Sequence, residues 1–255
     1  FESRWRFAPT FAKDNGILMA EEQTNGIEEI SIAEQEKSPY ALTGHTHTGI
    51  GDDEAKLDLV WSCYAAVNTV NQEILYLMKK SGCWNIFYGY ETGVEQLAEN
   101  IKTNRKNKSM EYMMKVARWT KNAGIEVRGS FMIALPGENP ELAEQTIQDA
   151  IKLNPEYAQF SITTPYPGTA LYDEIKKGKW GKLTTEDFSE YQGWNVVFLP
   201  EGYKNKEEVM KMNRKAFRTF YLRPRYIIKA ILNIRSLEDI KRYFIGFKAL
   251  VKGFV

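Results

Sequence analysis

The chain contains 255 residues, of which 43% are hydrophobic and 26% charged, with 34 Lys and Arg against 33 Asp and Glu. This composition excludes an intrinsically disordered chain, a collagen-like chain and a small disulfide-stapled domain. The sequence contains no run of about 18 apolar residues, so it predicts no membrane-spanning helix. The two cysteines, Cys63 and Cys83, predict reduced thiols in a cytoplasmic protein.

The first sixty residues have a weaker pattern than the rest of the chain. We predict a helix over Phe11–Asn25, a buried strand over Ile27–Ile32 and a long loop over Glu34–Asp53, which holds both histidines. The chain opens on Phe1 rather than on an initiator methionine or a signal peptide. We therefore expect it to be part of a longer protein.

Four further apolar runs, rich in β-branched and aromatic residues, follow at intervals of roughly thirty residues and predict buried strands. They cover Leu57–Ala65, Asn85–Tyr90, Glu126–Leu135 and Tyr157–Thr163. Amphipathic helical patterns separate these runs. Because alternation of this kind is typical of βαβ units, the sequence predicts an α/β fold with a parallel sheet.

Several of the intervening helices carry end signals. Thr69 followed by Gln72 matches a capping box, and Gly82 is the matching stop signal. Asn139 before Pro140 predicts an N-cap with proline at the first helical position.

The alternation ends after Pro167, and we divide the chain into a barrel-like domain over residues 1–170 and an aromatic and basic helical extension over residues 171–255. From Tyr203 to Val255 there are 14 Lys and Arg against 4 Asp and Glu. Packing of these basic helices on the sheet domain is the default interpretation. Peripheral contact with an anionic membrane surface is a second one. Nucleic acid is not expected as a partner, because the sequence contains no recognition module.

Polar and glycine-rich segments follow the predicted strands, where the carboxyl ends of parallel strands direct their loops toward a ligand. Each segment alone is typical of an ordinary turn or helix cap. The segments are Tyr88–Gly93, Arg128–Ser130, Leu135–Glu138 and Thr163–Thr169.

Taken in order, Gly89-Tyr90-Glu91-Thr92-Gly93, the run from Gly129 to Glu138, and Thr164-Pro165-Tyr166-Pro167-Gly168-Thr169 resemble the radical S-adenosylmethionine enzymes. The likeness is to the branch with a cobalamin-binding domain upstream, which includes the anaerobic magnesium-protoporphyrin ester cyclases. It extends from about Leu57 to the C-terminus. It implies a partial (β/α)6 TIM-like barrel, here lacking its first strand, followed by a helical C-terminal extension.

The resemblance also implies a chemistry. In this superfamily a C-x-x-x-C-x-x-C loop after the first strand holds a [4Fe–4S] cluster. The cluster ligates S-adenosylmethionine and donates an electron to it, which releases a 5′-deoxyadenosyl radical that abstracts a substrate hydrogen. The full-length protein would act in this way on a hydrophobic or tetrapyrrole-like substrate, with cobalamin as a further cofactor.

Site residues follow from the same resemblance. Glu91 matches the residue that contacts the ribose of the cofactor, and Arg128 or Ser130 would meet its carboxylate or ribose. Backbone near Leu135 and Gly137, together with Thr163, would line the adenine pocket.

The sequence departs from the family pattern at several points. The three-cysteine loop is absent, and Arg4-Trp5-Arg6-Phe7 resembles the segment that usually follows it, so we expect this chain alone to be inactive. Ala65-Ala66-Val67-Asn68 stands where relatives often carry Ala-Arg-Val-Asp. Glu34 is a weak substitute for the acidic turn that normally helps to hold the methionyl amine.

Two other function classes stay open. The first is a non-catalytic barrel-type binding module that has lost the cluster. The second is a zinc-dependent hydrolase that uses His45 and His47, although a zinc site needs further ligands and the chain contains no other histidine. Two solvated loop histidines are the simpler interpretation of that pair.

Overall fold

A computed structural model describes residues 59–101 and 109–252, without the side chains of residue 242 and of residues 249–252. Its main sheet has four parallel strands that are neighbours in chain order: β1 (Trp61–Ala65), β2 (Cys83–Glu91), β3 (Glu126–Ile133) and β4 (Tyr157–Ile162). The predicted helix, strand and loop over residues 11–53 lie outside the described residues.

Helices connect and follow these strands. Between strands lie α1 (Gln72–Lys80), α2 (Glu95–Asn100), α3 (Met110–Asn122) and α4 (Pro140–Leu153). After β4 come α5 (Ala170–Lys176), the antiparallel pair β5 (Gly181–Leu183) and β6 (Phe198–Pro200), then α6 (Lys206–Tyr221), α7 (Pro224–Leu232) and α8 (Leu237–Lys252). Single 3₁₀ turns cover Val67–Thr69 and Phe188–Glu190.

The helix caps confirm one prediction and correct another. Asn139 caps α4 by accepting a hydrogen bond from the Leu142 N–H at 2.9 Å, with proline in the first turn as predicted. The capping box at Thr69 is wrong. Asn71 caps α1 instead, while the Thr69 hydroxyl donates to the Ala66 carbonyl within a 3₁₀ turn. Asn71 directly precedes α1, so its Oδ1 atom accepts a hydrogen bond from the free Ile74 N–H at 2.9 Å.

One face of the main sheet carries the core. On β3 the side chains of Val127, Phe131 and Ile133 are fully buried beneath the helices, whereas the alternating residues are only half-buried. Strands in chain order with one helical layer are typical of a β/α barrel rather than of a doubly wound sheet. The described strands therefore form part of such a barrel, which confirms the predicted fold class.

The C-terminal extension closes the outer edge of β4. The Tyr221 hydroxyl bonds both the N–H and the carbonyl of Ala158, at 3.0 and 2.7 Å, and the Asn213 amide donates to the Phe160 carbonyl. The Ile162 N–H donates to the carbonyl of Gly193 at 2.7 Å. Because these groups occupy the backbone positions that another strand would use, β4 is an edge strand of the sheet within residues 59–101 and 109–252. The domain boundary at residue 170 stays a prediction.

Candidate functional site

The main sheet has a second face, opposite the helices, whose residues are half-buried rather than fully buried. We call it the inner face and define it by Phe87, Gly89, Arg128, Ser130 and Gln159. These residues alternate with the buried ones along their strands and are themselves half-buried. Polar side chains on a partly exposed sheet face next to the strand ends favour binding over core packing.

The strand register brings three inner-face positions into one row. Gly89 is paired with Ser130, and Ser130 is paired with Gln159. Neighbouring strands lie about 4.8 Å apart, so the row extends across roughly 10 Å of the sheet. The row runs from the carboxyl-terminal part of β2, through the middle of β3, to the amino-terminal half of β4. Ligands of β/α barrels bind at the carboxyl ends of the strands, which the β2 end of the row approaches.

Glu91 completes this row although it belongs to the end of β2. A Cβ atom built on Gly89 would fall 2.6 Å from the Glu91 Oε1 atom, so the carboxylate lies over the bare backbone of Gly89 on the inner face. The sequence-predicted residues Glu91 and Ser130 are therefore brought together on the same face of adjacent strands.

The backbone at Glu91 adopts a conformation that a non-glycine residue rarely takes. Its φ angle is 60°, and the β2–β3 register shifts between Gly89 and Glu91, as at a β-bulge. Such a conformation costs about 1–3 kcal/mol and is concentrated at functional sites, because the surrounding structure must hold it. This local strain re-aims the Glu91 side chain onto the inner face.

Sequence reasoning missed two polar residues of β4. The Gln159 Nε2 atom donates a hydrogen bond to the Ser161 Oγ atom at 3.1 Å, and both residues face the inner side of the strand. The signal was present, because alternation of Ala158, Phe160 and Ile162 in the core places Gln159 and Ser161 on the other face.

Arg128 lies one row below Ser130, toward the amino ends of the strands. Its guanidinium carbon lies 4.8 Å from the ring centre of Trp84 and 5.6 Å from that of Tyr157. Its Nη2 atom lies 4.0 Å from a carboxylate oxygen of Glu126. The structure thus places Arg128 among aromatic rings.

An aromatic row continues from Arg128 across the sheet. Phe87, its partner on β2, lies 5.2 Å from the ring of Tyr64 and 6.1 Å from the ring of Tyr157, measured between ring centres. Tyr64 is 68% exposed. This lower part of the inner face is aromatic and lies beside the Arg128 cation.

The loops after β3 and β4 leave the sheet side by side. The Thr163 N–H and hydroxyl both donate to the Ile133 carbonyl, at 2.9 and 3.0 Å. Leu135 is fully buried against Val94 and Leu97, and Gly137 adopts a φ of 76° beside the Asn100 amide. The Leu135, Gly137 and Thr163 segments therefore border the carboxyl end of the sheet, and the side chains of Leu135 and Thr163 contact the loops themselves.

A buried carboxyl group supports the loop after β3. The Glu138 Oε1 atom accepts hydrogen bonds from the Ala134 N–H at 2.5 Å and from the Tyr203 hydroxyl at 2.6 Å. Ala134 itself has a φ of 62°. Burial raises the pKa of Glu138 to about 7, although both hydrogen bonds oppose the shift. Sequence patterns gave no sign of this link, because Tyr203 is distant in the chain.

The remaining predicted site residues, Glu34, His45 and His47, lie outside the described residues. Among residues 59–101 and 109–252 no group of three or more His, Cys, Asp and Glu side chains is arranged to hold a metal ion. Cys63 and Cys83 are free thiols on adjacent strands, and a hydrogen bond between them lowers the pKa of Cys63 and raises that of Cys83.

No family model matches the chain. An uncharacterized methyltransferase of Pyrococcus horikoshii is 34% identical to it over 175 residues, which cover 69% of this chain and 37% of that protein. An anaerobic magnesium-protoporphyrin IX monomethyl ester cyclase of Rubrivivax gelatinosus is 23% identical over 202 residues, covering 77% and 34%. A bacteriochlorophyllide d C-8(2)-methyltransferase of Chlorobaculum tepidum is 24% identical over 188 residues, covering 69% and 41%.

The chain therefore spans only 34–41% of the length of these three relatives. Among solved structures, the radical S-adenosylmethionine methyltransferase TsrM of Kitasatospora setae, with cobalamin and a [4Fe–4S] cluster bound, aligns with 58% of this chain. The alignment covers 29% of the TsrM chain, with a TM-score of 0.45 and 19% identity.

Proposed function

The chain belongs to the radical S-adenosylmethionine superfamily, in the branch that includes the anaerobic magnesium-protoporphyrin ester cyclases, and on that premise we propose that its inner face binds the nucleoside part of S-adenosylmethionine. The observation that carries the proposal is the Glu91 carboxylate over the bare backbone of Gly89. A carboxylate in that position accepts two hydrogen bonds, and the vicinal hydroxyls of a ribose donate two.

Neighbouring residues complete the proposed binding site. The Ser130 hydroxyl lies in the row beside Glu91 and offers one donor and one acceptor to the same sugar. The backbone of Leu135 to Gly137 and of Thr163 borders the carboxyl end of the sheet, where the adenine base would lie. When bound beside a reduced cluster, the cofactor supplies one-electron chemistry for attack on a substrate C–H bond.

The residues of this chain do not fit the [4Fe–4S] cluster. Its two cysteines are twenty positions apart in the sequence, hydrogen-bonded to each other, and located on the helix-facing side of β1 and β2. Cluster ligands would therefore have to come from other residues of a longer protein. The contribution of this chain is to bind and orient the nucleoside.

The substrate is proposed to be planar and hydrophobic, of the tetrapyrrole type. Two of the relatives are named for magnesium-protoporphyrin and for bacteriochlorophyllide. The aromatic row of Tyr64, Phe87 and Tyr157 offers apolar ring surface to a macrocycle, and the Arg128 guanidinium offers a charge for a carboxylate substituent.

Calorimetric titration of this chain with S-adenosylhomocysteine, a cofactor analogue that needs no reducing cluster, tests the nucleoside site. We expect Glu91→Ala to weaken binding about tenfold or more, because hydrogen bonds to a charged group contribute about 1.5–3 kcal/mol. Glu201→Gln removes an exposed carboxylate elsewhere and is the matched control. Unchanged affinity in Glu91→Ala, with a normal circular dichroism spectrum, would contradict the assignment.

A further inference from the structure

Helix α7 exposes the apolar side of its surface. Ile228, Ile231 and Leu232 are 57%, 60% and 76% exposed. The opposite side of the helix is anchored, because Tyr226 packs against the rings of Phe220 and Tyr221 on α6. The exposed isoleucines and leucine therefore belong to a held, ordered helix rather than to one that can turn them inward.

Helix α8 carries a second apolar stripe. Leu237, Ile240, Phe244 and Phe247 follow the spacing i, i+3, i+7 and i+10, which places them along one side of a helix. All four are exposed, Leu237 by 77% and Phe244 by 65%. An apolar stripe of this size on a water-facing helix indicates an interaction surface.

Positive charge borders both stripes. Residues 223–252 contain eight Lys and Arg against two Asp and Glu, although the whole chain has a net charge of only +1. Lys241 and Lys248 are exposed on α8, seven residues apart and therefore on one side of the helix. Arg225 brings further positive charge to α7, whereas the Lys229 ammonium is paired with the Glu156 carboxylate at 3.3 Å.

We propose that α7 and α8 bind the surface of an anionic lipid bilayer, lying in the interface with their apolar stripes among the acyl chains. Apolar side chains that include phenylalanine, flanked by lysine and arginine, are typical of helices that adsorb to anionic headgroups. No helix of residues 59–101 and 109–252 is long and apolar enough to cross a bilayer. A second copy of the chain fits this surface less well, because it would bring two strongly positive segments together.

Co-sedimentation of the full chain with vesicles tests this proposal. We expect binding to vesicles of 30% phosphatidylglycerol and 70% phosphatidylcholine that is at least about tenfold tighter than binding to pure phosphatidylcholine. High salt should weaken the binding, because it screens the headgroup charge. Equal binding to both vesicle types, or no binding to either, would overturn the proposal.

Two variant pairs separate the apolar and the electrostatic parts of the surface. We expect Phe244→Ser, and separately the double variant Lys241→Glu/Lys248→Glu, to weaken anionic-vesicle binding about tenfold or more. The control variants Phe188→Ser and Lys177→Glu/Lys182→Glu carry the same changes at exposed positions outside α7 and α8. They should bind vesicles as the unmodified chain does. Equal loss in the controls would overturn the proposal.

Light scattering distinguishes binding to a lipid surface from self-association of the chain. A monomer in solution that binds anionic vesicles supports the lipid surface. A stable dimer that Phe244→Ser dissociates, with no vesicle binding by either form, would assign the stripes to self-association instead and overturn the proposal.

Discussion

The Glu91 carboxylate occupies the space in which a side chain at position 89 would begin. A Cβ atom on Gly89 would lie 2.6 Å from the Glu91 Oε1 atom, well inside van der Waals contact. Gly89 does not adopt a positive φ, so alanine could take the same backbone conformation at this position. The absence of a side chain at position 89 is therefore what leaves room for the Glu91 carboxylate in this position.

Gly89→Ala should therefore act through Glu91. The added methyl group pushes the carboxylate away, which costs little because the carboxylate is the far end of a flexible side chain. We expect the free energy of unfolding to change by less than about 1 kcal/mol, since alanine is more favourable than glycine in a strand. Affinity for S-adenosylhomocysteine, measured by calorimetry, should fall as far as in Glu91→Ala.

A double-mutant cycle sharpens this prediction. If Gly89→Ala acts only by displacing the carboxylate, it should have no further effect on affinity in a Glu91→Ala background. Gly193→Ala is the control, because its methyl group would lie 3.8 Å from Ser161, an ordinary contact. Additive losses in the cycle would show that position 89 contacts the ligand independently of Glu91.

Tyr88 and Tyr90 point to the same buried face of β2 but differ in their hydroxyl groups. The Tyr88 hydroxyl is hydrogen-bonded to Thr120 Oγ1 at 2.9 Å, whereas the Tyr90 hydroxyl is buried without a partner among the described residues. We expect Tyr90→Phe to raise the free energy of unfolding by about 1 kcal/mol and Tyr88→Phe to lower it by a similar amount. Urea denaturation measures both, and equal effects of the two variants would contradict this account.

The sequence predicted the features that depend on local chemistry. The strands of the main sheet and the Asn139 cap were found, because alternating burial and N-cap hydrogen bonds are encoded within a few residues. The predicted site residues Glu91 and Ser130 lie on the same face of adjacent strands, because parallel strands end at one edge. Their contacts with the cofactor stay predictions.

Features that depend on register and distant contacts could not be predicted. The position of Arg128 among aromatic rings depends on the register, which pairs it with Phe87 and Tyr157. Its contact with the cofactor stays a prediction. The buried link between Glu138 and Tyr203 joins residues that no spacing rule connects. The roles of the proposed site residues stay predictions until ligand binding is measured.

Tyr221 seals the outer edge of β4 and should be important for stability. Tyr221→Phe leaves the N–H and carbonyl of Ala158 without the hydroxyl that bonds both. Since each buried group without a partner costs about 1–3 kcal/mol, we expect a loss of about 2 kcal/mol or more in urea denaturation. Tyr226→Phe is the control, because its hydroxyl lies 3.4 Å from the Glu156 carbonyl, a long hydrogen bond. A loss no larger than that of the control would contradict the sealing role.

Glu138 should make stability depend on pH between about 4.5 and 7. Burial raises its pKa from 4.5 to about 7, so across this range the folded chain holds a proton that the unfolded chain has released. Stability from this group is therefore complete below pH 4.5 and is lost as the pH rises toward 7. The loss is about 3 kcal/mol, since each pKa unit corresponds to about 1.4 kcal/mol.

Urea denaturation of the chain and of Glu138→Gln at several pH values measures this loss. The difference in unfolding free energy between the two should grow from pH 4.5 to 7, because glutamine does not titrate. The exposed control Glu201→Gln should follow the unmodified chain, and parallel curves for Glu138→Gln would contradict the assignment.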